Sequence, residues 1–386
     1  MTVSARPDGL SMSTLPTDRP TDGSPELSII VPTFREFEAL PHLLDRLAEL
    51  RRSRDISFEV IIADDDSQDG TEAMIAEKDL PWVQLLVRKE NHGLSPAVLD
   101  GLALARGNTL LVMDADLSHP PEAIPAMLKA LADGADFVIG SRYTDGGTTA
   151  DDWGLVRWIN SRVATVLARP LTSVADPMAG FFALRRDTFE HAKDPDPVGY
   201  KIALELLVRS GAKRIVEIPI HFSDRAHGES KLTLSQQLLY IKHLRRLYIF
   251  KYGIWSHLTQ FLMVGALGTF VNLGALTAGL RVSMTERHAL LLGIATSICF
   301  NFLLNRRFTF SYARAEAILK QFVGFVAASF AGAVVTYSVT LALREKVPQL
   351  SIQLAAVFGI VCGSILNFMF NRFLVFRAKH IRPESS

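Results

Sequence analysis

The chain has 386 residues, of which 48% are hydrophobic and 21% are charged, and its formal net charge at pH 7 is +1. This composition is more apolar than that of an ordinary soluble enzyme, and no nucleic-acid partner is expected. Both cysteines, Cys299 and Cys362, lie in long apolar stretches, which argues against a disulfide framework or a metal site and predicts small core residues. Residues 1–25 are rich in Pro, Ser, Thr and Asp and are expected to form a disordered tail.

Short apolar runs alternate with segments of helical spacing up to residue 140. The predicted strands are 27–31, 58–63, 82–87, 109–113 and 137–140, and the predicted helices are 39–50, 95–105 and 121–132. This alternation predicts an α/β domain with a largely parallel sheet. Ligands of such sheets bind beyond the carboxyl ends of the strands, and acidic clusters follow two of these strands.

One of the two acidic clusters is Asp114-Ala115-Asp116, directly after the strand 109–113. In an extended backbone, residues two apart point to the same side, so the two carboxylates can share one divalent cation. Mg²⁺ or Mn²⁺ suits such oxygen ligands, keeps coordination positions for substrate phosphates and neutralises a departing diphosphate. The alternative is an ordinary acidic turn.

The second acidic cluster, residues 64–71, follows the strand 58–63 and reads Asp-Asp-Asp-Ser-Gln-Asp-Gly-Thr. Short carboxylates at this position can hold ribose hydroxyls and the edge of a base. A capped helix start is an equally compatible role, and both can hold at once.

Residues 232–256 mix large apolar side chains with Lys242, Arg245, Arg246 and Lys251. This pattern, directly before a long apolar stretch, favours an amphipathic helix that lies at a membrane surface. The alternative is an amphipathic helix that only packs on the preceding domain.

Four later stretches carry no charged residue, at 258–280, 288–305, 321–343 and 347–371. Each is close to the roughly 20 residues that a membrane-spanning helix needs, so four spans are predicted. The connector after the second span and the tail after the fourth are the richest in Lys and Arg. The positive-inside rule therefore places both termini, and the catalytic domain, on the cytoplasmic side of the cell membrane.

The membrane region contains an internal repeat. Asn301-Phe302-Leu303-Leu304-Asn305-Arg306 closes the second span, and Asn367-Phe368-Met369-Phe370-Asn371-Arg372 closes the fourth. Gln260-Phe261 and Gln321-Phe322 open the first and third spans. Asn inside a span needs partners within the bundle, so these endings either lock helices together or contact a lipid phosphate.

Several ordered motifs between residues 27 and 232 resemble glycosyltransferase family 2, and within it the dolichol-phosphate mannose synthases. They are Val31–Glu36 read as VPTFRE, the cluster at 64–71, His92-Gly93-Leu94-Ser95, the segment 113–122, Gly140-Ser141-Arg142-Tyr143, 176–182 read as DPMAGFF, Gly199-Tyr200-Lys201, and 225–232 read as RAHGESKL. The four spans resemble the GtrA-like membrane domain that is fused to some of these synthases.

The resemblance implies a GT-A (Rossmann-like) catalytic domain at 26–231, an interfacial helix at 232–256, a four-helix transmembrane domain at 257–378 and a cytoplasmic tail at 379–386. It also implies inverting transfer of mannose from GDP-mannose to dolichyl or polyprenyl phosphate, with Mg²⁺ or Mn²⁺ and a bilayer as partners. Alternatives are a UDP-glucose transferase acting on undecaprenyl phosphate and a membrane domain that flips glycolipid.

Site residues follow from the matched positions. For the nucleotide sugar these are Pro32, Phe34, Glu36, Asp65, Asp66, Asp114, Asp116, Arg142, Arg225 and Lys231. For the acceptor phosphate they are Arg142, Arg157, Arg225 and Ser230. The expected catalytic residues are Asp116, Arg142, Asp176 and Arg225.

The expected metal ligands are Asp114, Asp116 and Ser118. The chain has Ser118 where the family often has Gln, and it has Arg35 where the family often has Asn. A serine hydroxyl reaches less far than a Gln carbonyl, so a water molecule can stand between Ser118 and the ion.

Overall fold

The computed structural model describes residues 25–149, 155–195, 198–223 and 234–377. The chain divides into two compact units, Met1–Lys251 and Tyr252–Ser386. The boundary falls inside the segment 232–256 that is predicted to lie at the membrane surface.

The first unit is built on a seven-stranded sheet with the order β3-β2-β1-β4-β7-β5-β8. Its strands are β1 (Leu27–Thr33), β2 (Phe58–Asp64), β3 (Val83–Val87), β4 (Thr109–Val112), β5 (Phe137–Ser141), β7 (Phe182–Arg185) and β8 (Ile215–Pro219), and a separate pair is formed by β6 (Thr148–Thr149) and β9 (His221–Phe222). β7 runs antiparallel between β4 and β5. The other neighbouring strands of the large sheet are parallel, which confirms the predicted α/β fold.

Helices cover both faces of this sheet. They are α1 (Leu40–Arg54), α2 (Thr71–Lys78), α3 (Leu94–Leu104), α4 (Ile124–Ala132), α5 (Leu155–Ala168), α6 (Arg186–Glu190), α7 (Ile202–Ser210) and α8 (Leu234–Tyr252). Ile29 and Val31 of β1 join the core beneath α1 and α4, whereas Ile30 joins the core beneath α3 and α7. This alternation explains why β1 is buried along its whole length and has an unbroken apolar sequence.

The predicted interfacial segment forms α8, one face of which packs on α5 and α7. Tyr240, Leu244 and Leu247 are buried on that face. The Tyr240 hydroxyl donates to the Ala164 carbonyl at 2.8 Å, and buried His243 Nε2 lies 2.7 Å from Glu205 Oε2. Other apolar side chains of α8, including Leu238 and Ile241, are exposed. The helix therefore packs on the rest of the first unit and also presents an apolar surface, so the two interpretations of this segment are compatible.

The described part of the second unit, up to residue 377, contains four helices that are long and apolar enough to cross a membrane. They are α9 (Ile254–Arg281), α10 (Glu286–Leu304), α11 (Ile318–Lys346) and α12 (Ile352–Phe370). Asn301 packs directly over Gly268, where an added Cβ would lie 2.1 Å from Asn301 Oδ1, and Asn367 packs over Gly332, where the Cβ would lie 2.9 Å from Asn367 Cβ. These small residues allow the close helix contacts that are common in membrane bundles.

The two hairpins match in a register that differs from the one predicted. Buried positions of α9 include His257, Phe261, Val264 and Gly268, and those of α11 are Gln321, Phe325, Ala328 and Gly332, with the same 4-3-4 spacing. Gln321 therefore corresponds to His257, and the predicted match of Gln260-Phe261 with Gln321-Phe322 is wrong. The local sequence similarity of those pairs does not coincide with the buried face of the helices.

Both hairpins end in a π-helical turn of five residues, Asn305–Thr309 and Asn371–Val375. The Phe310 and Phe376 rings that follow stack on each other with centroids 4.7 Å apart.

The prediction of core positions for Cys299 and Cys362 is also wrong, because both side chains are exposed on the outside of the helices. In a membrane domain an outward apolar position faces lipid, so an uncharged sequence does not by itself indicate burial.

Candidate active site

The acidic clusters meet at one edge of the sheet because β1, β2 and β4 are parallel neighbours. Asp65 lies directly beyond β2, and Asp114 and Asp116 follow β4. Asp65 and Asp116 are buried, while the side chain of Asp114 is 28% exposed. The predicted convergence of the two clusters is therefore present.

Backbone and side-chain donors hold the Asp114–Asp116 turn. Asp116 Oδ1 accepts from the Ser118 hydroxyl at 2.6 Å and from the Ser118 backbone N–H at 3.1 Å. Leu117, between them, has a φ of +63°, which lets the chain turn back on Asp116. Ser118 is buried and does not line the cavity described below, so its contact orients the carboxylate from behind.

His119 is a site residue that the motifs did not single out. Its Nδ1 accepts the Asp114 backbone N–H at 3.0 Å, and its ring stacks on Phe181 with centroids 5.3 Å apart. Burial lowers the pKa of His119, although the charges of Asp114 and Asp116 oppose that shift. The ring is therefore neutral at pH 7 with its proton on Nε2, and it lines the cavity. In the sequence, the only indication that His119 belongs to the site is its position three residues after Asp116.

Arg142 and Asp176 form a buried, bidentate ion pair. Arg142 Nε lies 2.7 Å from Asp176 Oδ2, and Arg142 Nη2 lies 2.8 Å from Asp176 Oδ1. Burial lowers the pKa of Arg142, but the hydrogen bonds and charge of Asp176 outweigh it and leave the pKa raised, so the guanidinium stays charged. Asp176 has no exposed surface, whereas Arg142 lines the cavity.

Glu217 on β8 holds the loop that carries Asp176. Its two carboxylate oxygens accept the backbone N–H groups of Ala175 at 2.8 Å and Asp176 at 3.1 Å. Sequence reasoning did not find Glu217, because the contact joins residues that are 41 and 42 positions apart.

Pro32, Phe34, Glu36 and Asp65 also line the cavity. Asp65 Oδ2 accepts the Gly93 backbone N–H at 2.6 Å, and Asp65 Oδ1 pairs with buried Arg88. Arg88 also contacts Asp100 Oδ2 at 2.7 Å and was missed in the sequence. Asp66 does not line this cavity. It pairs with Lys89 at 2.8 Å, and this hydrogen bond lowers the pKa of Asp66.

One cavity of about 1340 Å³ joins these groups and extends to the helices α5 and α8. The lining from these helices is largely apolar and includes Val163, Ala164 and Leu167 of α5 and Leu238, Leu239 and Ile241 of α8. The cavity thus combines two carboxylates and a guanidinium with an apolar lining. Such a space fits a molecule with a charged head and a long apolar chain.

Other predicted site residues cannot be placed in this cavity. Arg225, Ser230 and Lys231 lie outside the described residues, and Arg157 belongs to α5 with its side chain outside the described part. Among the described residues, no group of three or more His, Cys, Asp or Glu side chains is arranged to hold a metal ion. The Asp114–Asp116 pair still fits a cation that takes its remaining ligands from phosphate oxygens.

Comparisons with known proteins match both parts of the chain. The model of Glycosyl transferase family 2 matches residues 28–192, and the model of the GtrA/DPMS transmembrane domain matches residues 260–381. The crystal structure of glucosyl-3-phosphoglycerate synthase from Mycobacterium tuberculosis, in complex with Mn²⁺, uridine diphosphate and phosphoglyceric acid, is similar at a TM-score of 0.45. It is 20% identical and the alignment covers 64% of this chain and 84% of that one.

Curated relatives are similar over longer stretches. The chain is 33% identical to the dolichol-phosphate mannosyltransferase of Pyrococcus furiosus over 352 residues, which cover 90% of this chain and 98% of the relative. It is 43% identical to the dolichol-phosphate mannosyltransferase of Mycosarcoma maydis over 60% of this chain and 82% of that protein. The chain therefore belongs to glycosyltransferase family 2, among the members with a GtrA/DPMS transmembrane domain, and it is a membrane-bound glycosyltransferase.

Proposed function

We propose that the protein transfers mannose from GDP-mannose to dolichyl or another polyprenyl phosphate, with inversion at the anomeric carbon. The products are polyprenyl-phosphate mannose and GDP. The observation that carries the proposal is that one cavity is lined both by Asp114, Asp116 and Arg142 and by apolar side chains of α5 and α8. The names of the relatives support mannose and a dolichol-type acceptor.

The donor nucleoside would lie against Pro32, Phe34, Glu36 and Asp65. The Phe34 ring is 46% exposed and borders the cavity, so it offers an aromatic face to a base. Arg88 and Gly93 hold both oxygens of Asp65, which fixes the direction in which this carboxylate can accept. Asp66 pairs with Lys89 and does not line the cavity, so direct contact with the nucleoside has less support for Asp66 than for Asp65.

Asp114 and Asp116 would hold Mg²⁺ or Mn²⁺. When bound, the cation neutralises charge on the leaving diphosphate. Ser118, whose hydroxyl donates to Asp116, then acts as a positioning residue, and such partners of a ligand tune metal affinity. Direct coordination by Ser118 has less support, because the residue does not line the cavity.

The acceptor needs no strong general base. A phosphate monoester has a second pKa of about 6, so its oxygen is already anionic at neutral pH and can attack the anomeric carbon. One displacement from the side opposite GDP inverts that carbon. The chain's task is to align and stabilise these charges, for which Arg142 is suited by its planar fork. Asp176 is fully engaged by Arg142, so it positions the guanidinium and does not accept a proton.

Arg157, Arg225, Ser230 and Lys231 remain predicted contacts of the two phosphate groups. A cytoplasmic catalytic unit, with both termini on that side, likewise remains a prediction from the distribution of Lys and Arg. A nucleotide sugar made in the cytoplasm and a lipid phosphate in the adjacent leaflet would both reach a site on this side.

The test is a panel of labelled nucleotide sugars with polyprenyl phosphate and the purified protein, with Mn²⁺, with Mg²⁺ and with chelator. We expect transfer from GDP-mannose, dependence on a divalent cation, and a β-linked product by NMR. Transfer from UDP-glucose and not from GDP-mannose would replace the donor assignment, and an α-linked product would exclude a single displacement. Undiminished transfer in chelator would remove the metal role from Asp114 and Asp116.

A further inference from the structure

Two arginines occupy equivalent positions in the two hairpins of the membrane unit. Arg306 and Arg372 each follow a buried Asn that begins the π-helical turn. Both therefore leave the bundle at the same point of the repeat. Their surroundings differ, and this difference is informative because the repeated sequence around them is so similar.

Arg306 is satisfied by the protein. Its Nε donates to Gln321 Oε1 at 2.7 Å, and its Nη2 donates to the carbonyls of Arg314 at 2.7 Å and Glu316 at 3.2 Å. These acceptors belong to the connector between α10 and α11 and to the start of α11. Arg306 thus locks the first hairpin to the second.

Arg372 has no comparable set of acceptors. Its Nη1 contacts the Tyr312 hydroxyl, and its guanidinium lies over the Tyr312 ring at 4.7 Å from the centroid. Its Nε is buried and has no hydrogen-bond partner among the described residues. Arg372 itself is partly exposed, and with one acceptor among the described residues its guanidinium keeps terminal N–H donors that can reach an anion outside the protein.

The surroundings indicate what kind of anion this is. Phe373 and Leu374, directly after Arg372, are 50% and 70% exposed. The nearby cations Arg307, Arg314, Lys320 and Arg377 are exposed, and Glu316 is the acid of the described connector. An arginine at the end of a spanning helix, with apolar side chains beside it, lies where lipid head groups meet acyl chains.

We propose that Arg372 and Tyr312 form a binding site for the phosphate of an anionic phospholipid, whose acyl chains lie along Phe373 and Leu374. The guanidinium presents the parallel N–H donors that match phosphate oxygens, and the hydroxyl and ring of Tyr312 hold it in place. The same chemistry would accept inorganic phosphate, but the apolar neighbours favour the lipid. This site is separate from sugar donor binding and from transfer.

The experiment measures thermal unfolding of the full-length protein in neutral detergent while phosphatidylglycerol, phosphatidylcholine or inorganic phosphate is added. Ligand that binds the folded state raises the unfolding midpoint in proportion to its occupancy. We expect a rise with phosphatidylglycerol only. Arg372→Gln should abolish the rise, and Arg372→Lys should weaken the apparent affinity at least about tenfold, because lysine lacks the fork.

The matched control is Arg307→Gln, which removes an equal charge from the same end of the unit at an exposed position. It should keep the response to phosphatidylglycerol. Equal losses in Arg307→Gln and Arg372→Gln would reduce the effect to general charge attraction and overturn the site. An equal rise with inorganic phosphate would overturn the lipid assignment. If Arg372→Gln does not fold, Arg372→Lys and Tyr312→Leu decide the question, and an unchanged response in both rejects it.

Discussion

Both carboxylate oxygens of Asp176 accept hydrogen bonds from Arg142, at 2.7 and 2.8 Å, in a pair that has almost no contact with solvent. The pair joins the end of β5 to the loop before β7, and only the arginine reaches the cavity. A carboxylate used in this way keeps a guanidinium charged and oriented, which is the arrangement that recognition of a phosphate requires. The candidate site therefore depends on residues behind its surface as well as on those that line it.

Replacing Asp176 should disable transfer without removing donor binding. Asp176→Asn places an amide N–H₂ against the Arg142 fork, and misplacement of a positioning group by about 1 Å can lower a rate about hundredfold. We expect kcat to fall by at least about that factor, measured by steady-state transfer with nucleotide binding by calorimetry. Asp187→Asn, at an exposed pair with Arg185, is the control and should be silent. Full activity in Asp176→Asn would refute the positioning role.

Glu217 should act through Asp176. In Glu217→Gln one of the two backbone N–H groups, of Ala175 or Asp176, faces an amide N–H₂ and loses its acceptor, while the other keeps only a neutral carbonyl acceptor. Hydrogen bonds to charged groups contribute about 1.5–3 kcal/mol, so a loss of about tenfold or more in kcat is expected, with KM for the nucleotide sugar unchanged. A double-mutant cycle with Asp176→Asn should be non-additive. Additive losses would mean that Glu217 acts independently.

His119 should not titrate at neutral or higher pH. Because burial lowers its pKa below the ordinary value of 6.5, the ring is neutral at pH 7 and above. His119→Phe keeps the stacking on Phe181 but removes the acceptor of the Asp114 N–H. We expect weaker metal-dependent donor binding, by about tenfold, while the pH–rate profiles of both proteins keep one shape between about pH 7 and 8. A step near 6.5 that disappears in His119→Phe would contradict this.

Substitutions of Ser118 and Asp116 should differ in their effect on Mn²⁺ affinity, because Asp116 is proposed as a metal ligand and Ser118 as the residue that positions it. Asp116→Ala should abolish Mn²⁺-dependent donor binding, whereas Ser118→Ala should weaken Mn²⁺ affinity by roughly 10- to 100-fold, the usual range for partners of a ligand. Calorimetric titration of Mn²⁺ in the presence of GDP measures both. Ser118→Ala as severe as Asp116→Ala would favour direct coordination.

Asp136 should link stability to pH. The backbone N–H groups of Arg214 and Lys213 donate to its Oδ2 at 2.9 Å each and lower the pKa of Asp136. A lowered folded pKa contributes stability above the ordinary value of 3.8, and that contribution is lost as pH falls through the folded pKa. Asp136→Asn should reduce the free energy of unfolding at pH 7 by about 1–2 kcal/mol. The difference from wild type should shrink below the ordinary pKa of 3.8, and a constant difference would exclude linkage.

The sequence alone determined the α/β class, the five early strands, the four spans and the meeting of the acidic clusters. These features depend on local periodicity and on the rule that parallel strands end at one edge, so neighbouring residues suffice. The family resemblance added Arg142 and Asp176, since their motifs are short and contiguous.

Tertiary structure alone decided the partners of those residues. Glu217 and Arg88 join the site through contacts between distant segments, which no local pattern indicates. His119 lies close to Asp116 in the sequence, but its burial and its stacking on Phe181 required the fold. The register of the two hairpins and the outward position of both cysteines also required the packed helices, because uncharged sequence looks alike on lipid-facing and buried surfaces. Asp114 and Asp116 could be predicted from the sequence. The contacts that hold them in place could not, because they depend on the pairing of β1, β2 and β4.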